Sequence, residues 1–146
     1  MIFVKKIQSS EDLKIAFAIR KKVFVEEQGV PLAEEYDEFE SSSLQFLAFL
    51  NETPVGTARM RTTPKGTKLE RFAVLKEFRG LEIGSNLVKN LLTNCKNDID
   101  SQVYLYAQIA AQKFYEKLGF EAKGETFLDA GIDHVEMHYK EKRSSK

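Results

Sequence analysis

The sequence predicts an α/β fold in which helices pack on the faces of a sheet of mixed strand direction. The first observation is the order of strand-like and helix-like patterns, which runs β, α, β, β, β, α, β, α, β, β along the chain. The second is a length of 146 residues with 42% hydrophobic content, which suits one core. No internal repeat or interior linker divides the chain, so we expect a single domain over residues 1–146.

The N-terminal part is predicted to form a strand and an amphipathic helix. Residues 2–8 have the composition of a short strand. Ser9, with Asp12 three residues later, can open a helix. Apolar residues then recur at helical spacing from Leu13 to Phe24, and Gly29 is expected to end the helix.

Three strands are predicted after an acidic loop at residues 34–40. Two apolar runs, residues 44–50 and 55–61, are separated by a hairpin turn at residues 51–54 and predict an antiparallel pair. Apolar residues crowd together in residues 68–75, as they do in a strand that is covered on both faces. We therefore expect residues 68–75 to form the central strand.

The C-terminal half continues with helices and strands in alternation. Helical spacing is present in residues 83–95 and again in residues 111–118. Strand character is present in residues 103–107, 120–127 and 135–139. The central strand, the first of these helices and the strand after it thus form a strand–helix–strand unit.

Composition narrows the class of partner. Lysine plus arginine equals aspartate plus glutamate at 22 each, so no net charge attracts nucleic acid or an anionic membrane, and we expect a small-molecule partner. Cys95 is the single cysteine and cannot form an internal disulfide framework. The first apolar run is too short for a signal peptide, and no segment approaches membrane-spanning length. A cytoplasmic location without a metal cofactor is the expectation.

A glycine-bearing turn at residues 79–85 precedes the helix of the strand–helix–strand unit. The first N–H groups of a helix have no intrahelical acceptor, and the peptide dipoles add about half a positive charge there. The turn therefore suits a pyrophosphate, and Arg79 adds a full positive charge. An ordinary tight turn is the alternative. P-loop and dinucleotide patterns fit less well, because their lysine or third spaced glycine is missing.

Two segments resemble the GCN5-related N-acetyltransferase (GNAT) family. Residues 69–84, Leu-Glu-Arg-Phe-Ala-Val-Leu-Lys-Glu-Phe-Arg-Gly-Leu-Glu-Ile-Gly, resemble motif A, whose core is Arg/Gln-x-x-Gly-x-Gly/Ala. Residues 108–120, Gln-Ile-Ala-Ala-Gln-Lys-Phe-Tyr-Glu-Lys-Leu-Gly-Phe, resemble motif B. The outer segments 20–28 and 129–134 are further similar to the bacterial ElaA-like branch of the family. The resemblance covers nearly the whole chain.

The resemblance implies a fold and an activity. The implied fold is a mixed, mostly antiparallel sheet of six to seven strands with a central, splayed parallel pair and about four flanking helices. The implied activity is transfer of the acetyl group of acetyl-CoA to a primary amine of a small molecule by direct attack. Glu82 departs from the pattern, because it stands where the family has its middle glycine. The alternative is therefore a GNAT-fold module that binds acyl-CoA in a regulatory role without turnover.

The resemblance also implies a set of cofactor-binding residues. Backbone groups of Phe72, Ala73 and Val74 are expected to pair with the pantetheine arm. The Gln108 amide is a second pantetheine partner, with a solvated polar side chain as the alternative. The remaining positions implied for acetyl-CoA are Arg79, Gly80, Leu81, Glu82, Ile83, Gly84 and Ser85 at the pyrophosphate, and Ala111 and Phe114 in motif B.

Acetyl transfer needs a proton donor for the departing thiolate and a base for the amine. The family places a general acid at the position of Tyr115, which is otherwise a core tyrosine. Two candidates for the base stay open. Glu70 stands where many relatives use a glutamate through water, but an ion pair with Arg71 or Arg59 explains it equally well. His134 stands near the position of a histidine base in other relatives, and a surface histidine is its alternative.

The acceptor is the least determined part of the reaction. The acidic run of residues 34–40 follows the first helix, in the region that borders the acceptor site in this fold. Its density of carboxylates predicts an acceptor with positive charge, such as a polyamine or an amino sugar, although a solvated loop is the ordinary explanation. A homodimer is compatible with the resemblance, since many relatives dimerise.

Overall fold

The computed structural model describes residues 1–95 and 102–140, and these contain seven strands. The strands are β1 (Ile2–Lys6), β2 (Leu44–Leu50), β3 (Thr53–Thr63), β4 (Gly66–Val74), β5 (Val103–Gln108), β6 (Phe120–Asp129) and β7 (Ile132–Tyr139). They form one sheet in the order β1-β2-β3-β4-β5-β7-β6, in which β4 and β5 are parallel and every other neighbouring pair is antiparallel. The predicted mixed sheet with a central parallel pair is confirmed.

Four α-helices flank the sheet within the described residues. They are α1 (Ser10–Arg20), α2 (Leu32–Glu35), α3 (Ile83–Asn94) and α4 (Gln112–Lys117). The Ser9 hydroxyl accepts a hydrogen bond from the Asp12 N–H at 3.1 Å and so caps α1 as expected. None of the described helices has the length and apolar character required to cross a bilayer.

Three local predictions were wrong. The first helix does not stay α-helical to Gly29, because residues Lys21–Glu27 form a π-helix. The acidic segment is not wholly a loop, because it begins within α2. The hairpin turn is shorter than expected, since Thr53 already pairs with Leu50 and only two residues connect β2 and β3. These differences all lie at element ends, where periodicity carries little information.

Two apolar clusters cover the two faces of the sheet. One contains Leu87 and Leu91 of α3 together with Leu69 of β4. The other contains Ala16 and Ile19 of α1, and the partner of this helix on β4 is Ala73. The central strand is thus covered on both sides, which explains the apolar residues that crowd into it.

The parallel pair separates halfway along its length. β4 and β5 pair only from Thr67 with Val103 to Leu69 with Leu105, although both strands continue beyond these residues. A register shift between β3 and β4 follows at once, and Arg71 there has a left-handed φ of 58°. A bulge of this kind bends its strand away from a neighbour. Beyond Leu69, the edge of β4 that faces β5 therefore has backbone groups free for a ligand.

Candidate active site

A cleft of about 340 Å³ opens where β4 and β5 separate. Its walls come from β4, β5, α4 and β7, and its rim includes the end of the π-helix and α2. Six of the sequence-predicted site residues line it: Glu70, Phe72, Gln108, Ala111, Tyr115 and His134. The fold thus brings the candidate acid and both candidate bases into one cavity, although Tyr115 and His134 are far from Glu70 in sequence. Of the predicted pantetheine segment, Phe72 lines this cavity, and Ala73 and Val74 do not.

Tyr115 forms the apolar wall of the cleft. Its side chain is 8% exposed, and its ring packs against Phe72 and Phe114 with centroid distances of 6.0 and 5.0 Å. Burial raises the pKa of the Tyr115 phenol above its usual value, so the hydroxyl keeps its proton at neutral pH. This retained proton can be donated to a departing thiolate as the C–S bond breaks.

Glu70 is the centre of a group of cations. Its Oε2 accepts a hydrogen bond from the Arg59 Nε and another from the Arg61 Nε at 2.9 Å, and the Lys68 Nζ is 3.3 Å from its Oε1. The alternative of an ion pair with Arg59 is therefore present. The expected contact with Arg71 is not made within the described residues, because the bulge directs that side chain to Asp37.

His134 is buried against the opposite wall. Its Nδ1 is 2.7 Å from the Ile132 carbonyl oxygen, and its ring stacks on Phe127. A carbonyl can only accept, so this contact assigns the proton of a neutral His134 to Nδ1. The lone pair then lies on Nε2, which gives the cleft a proton acceptor. His134 is thus not the surface histidine of the alternative interpretation.

The glycine-bearing turn forms the N-terminus of α3. Gly80 and Glu82 both have left-handed backbones, with φ of 83° and 70°. Within the described residues no side chain caps α3, so the first-turn N–H groups of Ile83, Gly84 and Ser85 remain available to an anion. A Cβ on Gly84 would approach the Phe114 Cζ to 3.3 Å, which places Phe114 against the same turn.

Replacement of Glu82 by glycine is expected to improve both stability and anion binding. A left-handed backbone costs a non-glycine residue about 1 kcal/mol, and the carboxylate repels a pyrophosphate. We expect Glu82→Gly to raise the free energy of unfolding by up to about 1 kcal/mol in chemical denaturation. Glu82→Gln is the control, because it removes the charge and retains the strained Cβ. Equal stability of the two variants would contradict the role of strain.

Arg79 is held by an acidic partner. Its Nη1 and Nη2 donate to the two Glu27 oxygens at 2.6 and 2.7 Å, and its Nε donates to the Val74 carbonyl at 2.9 Å. Nearby, the Gln108 Nε2 donates to the Gln28 Oε1 at 3.0 Å. Two of the predicted cofactor ligands are thus joined to the end of the first helix. Neither Glu27 nor Gln28 was singled out from the sequence, because each contact spans more than 50 residues.

Removal of the Glu27 carboxylate is expected to strengthen acetyl-CoA binding. Glu27 pairs with the Arg79 guanidinium, which is expected to bind the pyrophosphate. It also places a negative charge beside that anion. We expect Glu27→Gln to lower the acetyl-CoA Kd about two- to fivefold in calorimetric titration. Glu26→Gln, an exposed neighbour on the same π-helix, is the matched control. Weaker binding by Glu27→Gln would show that Glu27 instead orients Arg79 for the ligand.

The acidic run is largely neutralised inside the protein. Glu35 and Glu40 both bind the buried guanidinium of Arg20, and Asp37 binds Arg59 through both oxygens. These carboxylates are therefore not a free anionic surface. Glu34 of the same run does line the cleft. Among the described residues, no group of three or more histidine, cysteine, aspartate or glutamate side chains is arranged to hold a metal ion.

Comparison with known proteins agrees with this geometry. The family model for the acetyltransferase (GNAT) domain matches residues 8–141. A Bacillus subtilis (strain 168) protein that bears an acetyltransferase name is 44% identical over 137 residues, which are 92% of this chain and 93% of that protein. The crystal structure of Escherichia coli ElaA has a TM-score of 0.85 at 27% identity and covers 96% of this chain and 100% of its own.

A further solved structure is that of a Bacillus subtilis acetyltransferase in complex with CoA. It has a TM-score of 0.71 at 15% identity over 97% of this chain and 100% of its own, a likeness that shows the fold alone. The family model and the 44% identical relative settle the assignment, and the ElaA likeness agrees with the resemblance of the outer segments. This chain belongs to the GCN5-related N-acetyltransferase family.

Proposed function

We propose that the protein transfers the acetyl group of acetyl-CoA to a primary amine of a small molecule by direct attack. The observation that carries this proposal is the cleft at the separated strands, which joins a protonated phenol, a buried imidazole and the unpaired edge of β4. The fold-level relative in complex with CoA supports acetyl-CoA as the donor. The sequence expectations of a cytoplasmic location and a homodimer stay predictions.

Residues of β4 and α3 would hold the donor. The backbone of Phe72, Ala73 and Val74 lies beyond the last pair with β5, and apart from the Val74 carbonyl, which accepts from Arg79, it would offer hydrogen-bonding groups to an extended amide chain such as pantetheine. The uncapped first turn of α3 supplies N–H groups for the pyrophosphate. The Glu82 carboxylate would repel the pyrophosphate but leaves these donors in place, because they belong to the backbone and its own side chain is exposed.

Tyr115 and His134 would supply the proton transfers. As the amine nitrogen bonds to the acetyl carbon and the C–S bond breaks, the Tyr115 hydroxyl gives its proton to the thiolate. His134 Nε2 takes a proton from the amine, so that N-acetyl product and free thiol leave. Glu70 is the second candidate for the base. We favour His134, because both Glu70 oxygens already have cationic partners.

Replacing each candidate base by glutamine tests which of the two takes the proton from the amine. His134→Gln should lower kcat by about 10²-fold or more, because it removes the proton acceptor. Glu70→Gln should lower the free energy of unfolding, since it breaks an ion pair. The folded fraction of this variant should keep the kcat of the parent. The reverse order, in which a folded Glu70→Gln variant loses turnover and His134→Gln retains it, would assign the base to Glu70.

An acyl-CoA-binding module without turnover is the alternative. It is favoured by the side chain of Glu82 in the glycine-bearing turn and by the Glu27 carboxylate on Arg79. Isothermal calorimetry with acetyl-CoA tests the donor site shared by both functions. We expect binding by the parent that weakens several-fold in Arg79→Ala. Absence of binding to the parent protein would contradict both functions.

A further inference from the structure

One cationic side chain in the cleft has hydrogen-bonding capacity that the protein leaves unused. Arg71 lines the cleft at the bulge of β4. Its Nε is buried, and within the described residues no acceptor lies in hydrogen-bonding range of it. The Glu35 Oε1 is 3.9 Å away from that Nε, which is beyond a hydrogen bond. A buried donor without a partner is costly, so a ligand atom is the natural acceptor.

The carboxylates near Arg71 are committed to other arginines. Asp37 receives two N–H groups from Arg59 at 2.8 and 2.9 Å, and reaches Arg71 only through Nη2 at 3.3 Å. Glu35 is bonded through Oε2 to Arg20, which is fully buried. Arg71 is therefore the member of this network with the weakest compensation for its charge.

Cations outnumber carboxylates within the salt-bridge network at the bulge. The network contains five cations and four carboxylates, which leaves one positive charge if all are ionised. The cations are Arg20, Arg59, Arg61, Lys68 and Arg71, and the carboxylates are Glu35, Asp37, Glu40 and Glu70. Glu34 and Asp129 also line the cleft, but both are exposed at its rim, where water and salt screen them.

A second cation faces the same space. Lys68 lines the cleft, with its Nζ 4.1 Å from the centre of the Tyr106 ring and 3.3 Å from Glu70. Because Glu70 is shared with Arg59 and Arg61, the ammonium group keeps donors for a further acceptor. Arg71 and Lys68 thus give the cleft two cationic donors on one strand.

We propose that the acceptor carries a carboxylate and that Arg71 binds it, so that the substrate is an amino acid or another small carboxylated amine. This inference rests on the proposed function, since it names the substrate class of that site. Nε and one terminal N–H of a guanidinium match the two oxygens of a carboxylate side by side. The left-handed backbone of Arg71 is the kind of strain that is retained where a side chain must be aimed at a ligand.

Pairs of acceptors that differ only in charge test the proposal. Each carboxylated amine, from α-amino acids to 4-aminobutanoate and 6-aminohexanoate, is assayed beside its neutral carboxamide, with thiol release measured at saturating acetyl-CoA. The parent is expected to prefer the acid at least about tenfold in kcat/KM in one or more pairs, mainly through KM. Arg71→Gln should abolish this preference, and Arg71→Lys should retain part of it.

Control measurements distinguish a loss of carboxylate binding from a loss of stability and from a change in the net charge of the protein. Both Arg71 variants keep a Cβ at the same backbone φ, and their thermal unfolding and acetyl-CoA binding should match the parent. Lys89→Gln removes one positive charge from the exposed face of α3 and should keep the preference for the acid. A polyamine and an amino sugar complete the panel, because preference for a cationic acceptor is the opposite outcome.

The outcomes distinguish failure of the carboxylated-acceptor proposal from failure of the acetyltransferase proposal. Equal turnover of acid and carboxamide in every pair, a preference for cationic amines, or a preference that survives in Arg71→Gln would overturn this proposal and leave the acetyltransferase proposal standing. Absence of thiol release with every amine, carboxylated or not, would contradict the acetyltransferase proposal and this one with it.

Discussion

Tyr115→Phe should lower kcat for acetyl transfer by about 10²- to 10⁴-fold, the range expected when a general acid is removed. The ring remains to pack against Phe72, Phe114 and Phe120, so the fold and the cleft should be retained. Only the proton that the buried phenol holds is lost. The measurement is thiol release under single-turnover conditions, with the acetyl-CoA Kd measured on the same preparation.

Tyr36→Phe is the matched control for this variant. It removes the hydroxyl of a tyrosine outside the cleft, whose contact with the Phe17 carbonyl oxygen is long at 3.4 Å. This variant should keep the kcat of the parent. If Tyr115→Phe has an unchanged kcat as well, Tyr115 is a core tyrosine and water protonates the thiolate.

Arg59→Met should produce the largest loss of stability of any single change in the charge network, about 3 to 5 kcal/mol in the free energy of unfolding. Arg59 is 1% exposed and holds three carboxylates, those of Asp37, Glu40 and Glu70. Methionine fills much of its volume but leaves those charges without their shared partner. Urea denaturation near neutral pH measures the difference.

The loss should depend on pH with a predictable sign. Burial raises the pKa of Glu40, but hydrogen bonds and charge from Arg20, the Asp37 N–H and the charge of Arg59 outweigh it and lower the pKa to about 2. A lowered folded-state pKa contributes stability above the unfolded value near 4.5, which is lost as pH falls towards about 2. The stability difference between parent and Arg59→Met should therefore shrink on acidification.

Arg79→Met provides a comparison at an exposed ion pair. Arg79 and Glu27 are both solvent-accessible, so this change should cost less than about 1 kcal/mol. An Arg59→Met variant that is no less stable than Arg79→Met, or a difference that grows at low pH, would show that the buried network contributes little to the fold.

The architecture was accessible from the sequence because local signals agree with the final fold. The apolar residues that crowd into β4 indicate burial on both faces, and the helical period of α3 identifies the helix side that packs in the cluster of Leu69. The turn before α3 was recognisable from Arg79, Gly80 and Gly84. These features depend on neighbours within a few residues, so pattern and structure coincide.

The side-chain network was not accessible, because it depends on contacts between distant segments. Glu35 and Asp37 form part of an acidic run, and nothing local shows that Arg20 and Arg59 neutralise them. The left-handed backbone of Arg71 is likewise a consequence of the register shift against β3. A cationic acceptor was the expectation from the density of carboxylates in residues 34–40, and no local pattern shows that three of these carboxylates pair with buried arginines.

Transfer of isotopically labelled acetyl from acetyl-CoA to an amine tests the central claim most directly. The purified protein is incubated with [¹³C]acetyl-CoA and the paired acceptor panel, and both free thiol and N-acetylated product are measured by mass spectrometry. We expect labelled N-acetyl product in amounts equal to the thiol released, with both lost in Tyr115→Phe and His134→Gln. Tight binding of acetyl-CoA without labelled product from any amine would contradict catalysis and identify the protein as an acyl-CoA-binding module.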